Sequence, residues 1–150
     1  MGDNFSSKKD LHYTKWSILI IKSHAKYMTK VYIPGYGVYT IRKDWFYRYK
    51  FHALTSILFI YCRKCSARIM IYQKDGKQGF LKRCYANRII SLGDKKKKTQ
   101  KRTKILHCPN CKVVIGKGIN YKGRFAFALL PHSVKRRTVY KNWKRGVKYS

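Results

Sequence analysis

Two Cys-x-x-C pairs constrain the fold of this chain more than any other feature of its sequence. "CRKC" begins at Cys62 and "CPNC" begins at Cys108, and each pair adjoins a stretch rich in β-branched and aromatic residues. Two residues between cysteines allow one tight turn to direct both sulfurs at a single ion, and Zn²⁺ takes four such ligands tetrahedrally. The sequence therefore predicts one structural Zn²⁺ ion held by Cys62, Cys65, Cys108 and Cys111.

The two pairs are farther apart than in most zinc sites of this kind. The 42 residues 66–107 separate them, against roughly 15–20 in the common pattern. The lysine-rich segment 93–104 accounts for much of this excess, and the free energy of loop closure rises only slowly with length. The predicted fold is small and β-rich or α+β, a zinc ribbon of β-hairpins with extended basic N- and C-terminal arms.

Other uses of the cysteines fit the pattern less well. A redox Cys-x-x-C pair normally stands at the start of a helix in a βαβ unit, and disulfides need an oxidising compartment. The four cysteines as small core residues without a metal are a third alternative. Cys84 is expected to be a half-buried apolar residue, and His107 is expected to point away from the ion because it adjoins Cys108.

The composition changes along the chain in a way that predicts three segments. Residues 1–60 form a basic, aromatic-rich extension with a hairpin over 30–43, where Pro34 and Gly35 mark the turn. Residues 44–61 are either a short helix or a strand, because their periodicity does not decide. Residues 61–130 form the ribbon core with a lysine-rich loop at 93–104, and residues 131–150 form a basic tail.

The net charge of the chain predicts a polyanionic partner. There are 36 Lys and Arg residues against 5 Asp, which gives +31, whereas an ordinary small domain carries a charge of about 2–8 in magnitude. Cations spread along the whole chain neutralise phosphates, and aromatic residues between them stack on unpaired bases, so the predicted partner is RNA. A nuclear localisation signal would explain "KKKK" alone. The candidate RNA-binding residues are Lys95, Lys96, Lys97, Lys98, Lys101, Arg102, Lys104, Lys135, Arg136, Arg137, Lys141, Trp143, Lys144, Arg145 and Lys148.

The sequence gives little support to catalysis or to a membrane role. It contains no paired carboxylates, no Ser-His-Asp or Cys-His constellation and no phosphate-binding loop pattern. The longest apolar run, about 53–61, is far shorter than the roughly 20 residues that span a bilayer. We therefore expect no enzyme activity, no small-molecule substrate and no membrane partner.

One part of the chain resembles a known group of proteins. "CRKCSARIMIYQKDGKQGFLKRCYANRI" and "LHCPNCKVVIGKGINYKGRFAFALL", which lie between Cys62 and Leu130, resemble small bacterial-type zinc-ribbon proteins of uncharacterised role. The resemblance supports the four cysteines as ligands, implies that "YQKDG" (72–76) is a structural turn, and implies no catalytic activity. The added basic arms are similar to those of organellar ribosomal proteins.

That similarity suggests the expected function and location. The chain would be a structural, rRNA-binding component of a ribosome, with neighbouring ribosomal proteins as partners. The mitochondrial ribosome is the expected location, and another organellar ribosome or the cytosolic ribosome is the alternative. The alternative function is a zinc-ribbon accessory factor of transcription or RNA maturation.

Overall fold

The structure is a computed structural model that describes residues 27–77, 79–92, 95–96 and 104–143. Within these residues the chain is rich in strands, and every strand pairing is antiparallel. The prediction of a small β-rich fold is therefore confirmed.

The described strands form one hairpin and two sheets. The hairpin pairs β1 (Met28–Ile33) with β2 (Gly37–Arg42). The central sheet has the order β11 (Val134–Lys141), β3 (Thr55–Cys62), β4 (Arg68–Asp75), β6 (Ile89–Leu92) and β7 (Lys95–Lys96). The second sheet has the order β5 (Arg83–Tyr85), β10 (Arg124–Leu129), β9 (Val114–Tyr121) and β8 (Ile105–His107). Two short helical turns, Phe46–Lys50 and Ala86–Arg88, connect strands.

Strands β1 and β2 occupy the segment 30–43 for which the sequence predicts a hairpin. The register pairs Lys30 with Thr40, and the turn lies between the strands at residues 34–36. Gly35 has a φ of +82°, a left-handed conformation that a glycine adopts without steric cost. Tyr36 N–H donates to the carbonyl of Ile33 at 3.0 Å and closes the turn.

Strand β3 is buried on both faces, and this explains the ambiguity of its sequence. Leu58 and Ile60 belong to the core shared with the second sheet. Ile57 and Phe59 face the other way and pack in a second core beneath the β1–β2 hairpin. The sequence of a strand covered on both faces is a continuous apolar run, without alternation of apolar and polar residues. The central sheet therefore lies between the hairpin and the second sheet, and segment 44–61 contains first a helical turn and then a strand.

The C-terminal segment corrects the predicted domain organisation. Strand β11 pairs with β3 from Val134 opposite Cys62 to Lys141 opposite Ser56, so residues 134–141 are part of the central sheet and not an extended arm. The predicted boundary between residues 60 and 61 falls inside β3. The physical reason is that an apolar strand buried on both faces requires a hydrogen-bonding partner along its edge. Residues 1–26 and 144–150 of the predicted arms lie outside the described residues.

Two smaller expectations also need correction. Lys95 and Lys96 form strand β7, which pairs with β6, so they are not part of a loop. Residues 72–75 of "YQKDG" continue β4, and Gly76 alone, with a φ of +86°, begins the turn. A Cβ at Gly76 would lie 2.9 Å from the ring of Phe51, so glycine also allows close packing there.

A buried ion-pair network joins the end of β4 to the helical turn Ala86–Arg88 and to the segment that follows β2. Arg88, which is 3% exposed, donates from Nη1 and Nη2 to Asp44 at 2.8 and 2.6 Å, and from Nε to Asp75 at 2.7 Å. Partial burial opposes the ionisation of Asp44, but the hydrogen bonds and charge of Arg88 and the N–H of Tyr47 hold its pKa below the ordinary value. At pH values above about 3.9, the ordinary pKa of an aspartate, the ionised carboxylate of Asp44 therefore stabilises the fold in full. This stabilisation is lost as the pH falls through the lower pKa that Asp44 has in the folded protein.

Substitution Arg88→Met should destabilise the fold strongly, because it leaves Asp44 and Asp75 without the guanidinium that neutralises them. Removal of one partner from a buried ion pair costs about 3–5 kcal/mol. Urea unfolding of the metal-loaded protein measures the change. The matched control is Arg137→Met at an exposed position of β11, for which we expect a change within about 0.5 kcal/mol. Equal midpoints for the two variants would contradict the assignment.

Candidate metal centre

Four cysteine sulfurs converge where the two sheets meet. The Sγ atoms of Cys62, Cys65, Cys108 and Cys111 all lie within 4.8 Å of one another. Sγ of Cys62 is 3.7 Å from that of Cys111, and Sγ of Cys65 is 3.5 Å from that of Cys108. A tetrahedral ion with bonds of about 2.3 Å separates its ligand sulfurs by about 3.8 Å. The four predicted cysteines can therefore hold one metal ion.

Each Cys-x-x-C pair lies in a turn that joins two antiparallel strands, and the two turns have the same hydrogen bonds. In the first, Cys62 N–H donates to the carbonyl of Ala67 at 2.8 Å, and Ser66 N–H donates to the carbonyl of Cys62 at 2.9 Å. Residues 108–113 repeat this pattern at 2.9 and 3.1 Å. The turns follow β3 and β8, so the same local geometry presents two sulfurs from each sheet.

Both turns contain a residue in the left-handed conformation immediately after the second cysteine. Ser66 has a φ of +62° and Lys112 a φ of +63°. A residue with a Cβ pays roughly 1–2 kcal/mol for this conformation, which a glycine would avoid. Sequence reasoning did not identify these positions, because neither has the glycine that usually signals such a turn.

Backbone N–H groups make the cluster suited to negative charge. The N–H of Ala67 and then the side chain of Asn110 lower the pKa of Cys65 to about 6. At Cys111 the N–H of Val113 acts in the same direction, but desolvation and the neighbouring thiols outweigh it and raise the pKa to about 11. The opposite shifts at equivalent positions arise because thiols this close titrate as a unit. Four thiolates this close together would repel one another, so the fully ionised cluster requires a cation.

The centre is partly shielded from solvent. Cys62 and Cys108 are fully buried within the core between the sheets, whereas Cys65 and Cys111 are half-buried. An ion bound there would join the central sheet to the second sheet, because Cys62 ends β3 and Cys108 directly follows β8.

The remaining cysteine and the adjacent histidine are not part of this cluster. Cys84 is buried in β5 opposite Phe127, and burial raises its pKa, so it is more buried than the sequence predicts. His107 is exposed, and its Nδ1 lies 3.0 Å from the carbonyl oxygen of Lys112. This contact agrees with the expectation that it points away from the sulfurs.

The structure places some of the predicted RNA-binding residues on one strand. Lys135, Arg136, Arg137 and Lys141 are exposed along β11, and Lys141 Nζ lies 5.3 Å from the ring centroid of the half-buried Trp143. Lys104 is exposed beside β8, and Lys95 and Lys96 form β7. The other predicted residues lie outside the described part of the chain: Lys97, Lys98, Lys101, Arg102, Lys144, Arg145 and Lys148.

Sequence reasoning missed a second group of cations. They lie on the helical turn Phe46–Lys50, on β4, in the β4–β5 connection, on β5 and in the β9–β10 hairpin, and they line one cleft. They are spread over residues 50–124, and the longest run among them is the pair Lys82 and Arg83, so no long run of charge signals the group.

Comparison with known proteins does not assign the chain to a family. No protein-family model, no curated protein and no solved structure matches it. Among the described residues, no helix has the length and apolar character needed to cross a bilayer.

The double substitution Cys108→Ser with Cys111→Ser should abolish metal binding, because it removes one sulfur pair from a four-sulfur cluster. Metal content after purification and the thiolate-to-metal absorption of the Co²⁺-loaded protein measure the loss. The control is Cys84→Ala, which removes a buried sulfur outside the cluster and should leave one metal ion per chain. Unchanged metal content in the double variant would exclude the cluster as the binding site.

The left-handed residues allow a second test of the turns. Ser66→Gly should retain or slightly increase stability, whereas Ser66→Val should lower it by about 1–2 kcal/mol, because a β-branched residue is disfavoured at positive φ. Ser66 is exposed, so neither substitution changes the core. Urea midpoints of the metal-loaded variants report the difference, and identical midpoints for Gly and Val would show that the conformation at this position is wrong.

Proposed function

We propose that the chain is a structural, non-catalytic component of a ribosome, that it binds rRNA, and that one Zn²⁺ ion organises it as a zinc ribbon. The mitochondrial ribosome is the proposed location. The observation that carries the proposal is the net charge of +31, together with the pairing of the described aspartates to a buried arginine. Asp44 and Asp75, the acids within the described residues, are both bonded to the buried Arg88.

The chemistry of the sulfur cluster supports zinc. Zn²⁺ has no redox chemistry and binds four thiolates in closed structural sites. Apparent zinc binding free energies in small domains are about 10–16 kcal/mol. A contribution of this size offsets the mutual repulsion of the cations, which opposes a compact state.

The described surface supports a nucleic-acid partner. Strand β11 exposes Lys135, Arg136 and Arg137 in succession. The exposed rings of Trp45 and Tyr49 lie on or beside the helical turn that also carries Arg48 and Lys50. Phosphates bind such cations, and unpaired bases stack on such rings.

The shape of the described elements favours RNA over duplex DNA. Readers of the major groove of DNA commonly insert an α-helix. The helical segments among the described residues are five and three residues long, too short for that use. RNA provides unstacked bases and irregular backbone that a compact β-protein with exposed aromatic residues can contact.

Sedimentation of a tagged copy from a gentle lysate, at low and then high salt, tests this proposal. We expect the protein to co-migrate with one ribosomal subunit at moderate salt and to contain one zinc ion per chain. The variant Cys108→Ser with Cys111→Ser should lose both zinc and incorporation, whereas Cys84→Ala should retain both. Light fractions that contain a polymerase or an RNA-processing enzyme would favour an accessory factor of transcription or RNA maturation and would overturn the ribosomal proposal.

A further inference from the structure

A cleft of about 330 Å³ lies between the end of the helical turn Phe46–Lys50, the end of β4, the β4–β5 connection and the β9–β10 hairpin. Its volume lies at the lower end of the range for small-ligand sites, roughly 300–1,000 Å³. Apart from Arg88, whose charge the two aspartates neutralise, six cations line it: Lys50, Lys74, Lys82, Arg83, Lys122 and Arg124.

The carboxylate in this cleft does not offset the cations. The side chain of Asp75 is 4% exposed, and its Oδ2 accepts from Arg88 Nε at 2.7 Å. Its Oδ1 accepts from Thr55 Oγ1 at 3.0 Å and from Gln73 Nε2 at 2.9 Å. The six cations therefore leave a strong positive potential in the cleft, which favours an anionic ligand.

Arg124 provides a second observation that points to an anion. Its guanidinium carbon lies 4.2 and 3.9 Å from the ring centroids of Phe46 and Tyr85, and its Nη2 donates to Asn87 Oδ1 at 3.1 Å. Its Nε is buried and has no hydrogen-bond acceptor within the described part of the chain. Burial, followed by the charge of Arg88, lowers its pKa. A bound anion would compensate both effects, because it accepts a hydrogen bond and stabilises the charge.

An exposed aromatic ring stands at the mouth of the same cleft. Phe80 is 92% exposed, an unusual position for a large apolar side chain. The rings of Tyr85 and Tyr121, which also line the cleft, already have an arginine on one face, with guanidinium carbons 3.9 and 3.8 Å from the centroids. The residue before Phe80 is held in place, since Arg136 Nη1 donates to the carbonyl of Gly79 at 2.6 Å.

We propose that this cleft binds one unpaired nucleotide of RNA, with the phosphate among Arg124, Lys82 and Lys122 and the base stacked on Phe80. The proposal rests on the proposed function, since it names the part of the RNA that one site on the protein receives. Cations alone would accept any anion, but a ring beside them selects a ligand that has both a phosphate and a planar base. Arg136, an RNA-binding candidate from the sequence, lies beside this site through its bond to Gly79.

The test uses the full, zinc-loaded chain and an RNA hairpin with one bulged 2-aminopurine, whose fluorescence falls when it stacks. The variant Phe80→Ala with Lys82→Ala removes one aromatic ring and one ammonium group from the lining of the cleft. The matched control, Tyr32→Ala with Lys30→Ala, removes the same two groups at the same spacing from the exposed face of β1, outside the cleft. Because all four side chains are exposed, zinc content and urea midpoints should be unchanged in both variants.

We expect wild type and the control variant to quench the bulged base and to bind the hairpin with similar affinity. The cleft variant should lose the quenching and bind about fivefold to 150-fold more weakly, the range that corresponds to one stacked base. A hairpin without the bulge should bind the two variants alike, because each has lost one ammonium group. Lys122→Ala alone should reduce affinity for the bulged hairpin without abolishing the quenching, because it removes a phosphate contact and keeps the ring.

Any one of three results would overturn the inference, and each leads to a different conclusion. Equal quenching and affinity in the cleft and control variants would reject the cleft while RNA binding stands. Absence of RNA binding by the wild-type protein would reject the RNA partner of the proposed function as well. Competition by free AMP at the same concentration as the bulged hairpin would assign the cleft to a mononucleotide and not to a nucleotide within RNA.

Discussion

Mutual repulsion among 36 cations is the constraint on which the rest of this structure depends. A compact state of such a chain is disfavoured unless opposite charge is placed where it has the greatest effect. The described acids are therefore not spread over the surface, and both are bonded to one buried arginine, Arg88. Four thiols at the junction of the two sheets provide a second concentration of negative charge once a cation binds them.

These two centres lie at opposite ends of the antiparallel pair β3 and β4 in the central sheet. Strand β3 ends in Cys62 of the sulfur cluster, and its neighbour β4 ends in Asp75 of the ion-pair network. Between these ends, β3 is buried beneath the hairpin on one face and against the second sheet on the other. Apolar packing thus occupies the middle of these strands, with the ion-pair network at one end and the sulfur cluster at the other.

The same arrangement leaves the outer surface to cations and aromatic rings. Asp44 and Asp75 both accept hydrogen bonds from Arg88. Among the described residues, the other Lys and Arg side chains on β11 and around the cleft therefore form no ion pair with a carboxylate. Their charge is available to a phosphate backbone, and the exposed Phe80 offers a face for a base. The proposals of an RNA partner and of a nucleotide in the cleft therefore rest on the same distribution of charge.

The sequence by itself determined the local features of this protein. The spacing within each Cys-x-x-C pair identified the cysteines that converge, because two intervening residues fix a tight turn. Pro34 and Gly35 located the hairpin, and the excess of Lys and Arg pointed to an anionic partner. The first two signals lie within a few residues, where backbone geometry is enough for the inference, and the third needs only the composition of the chain.

Only the tertiary structure decided what depends on residues far apart in the chain. It placed residues 134–141 beside β3, joined Arg88 to Asp44 across 44 positions, and gathered cations from separate elements around one cleft. Strand β11 is polar and charged, so its sequence does not indicate that it covers the edge of an apolar strand. A strand edge needs a hydrogen-bonding partner and a buried charge needs an opposite charge once the core has assembled. No local pattern in the sequence shows which distant residue provides that partner.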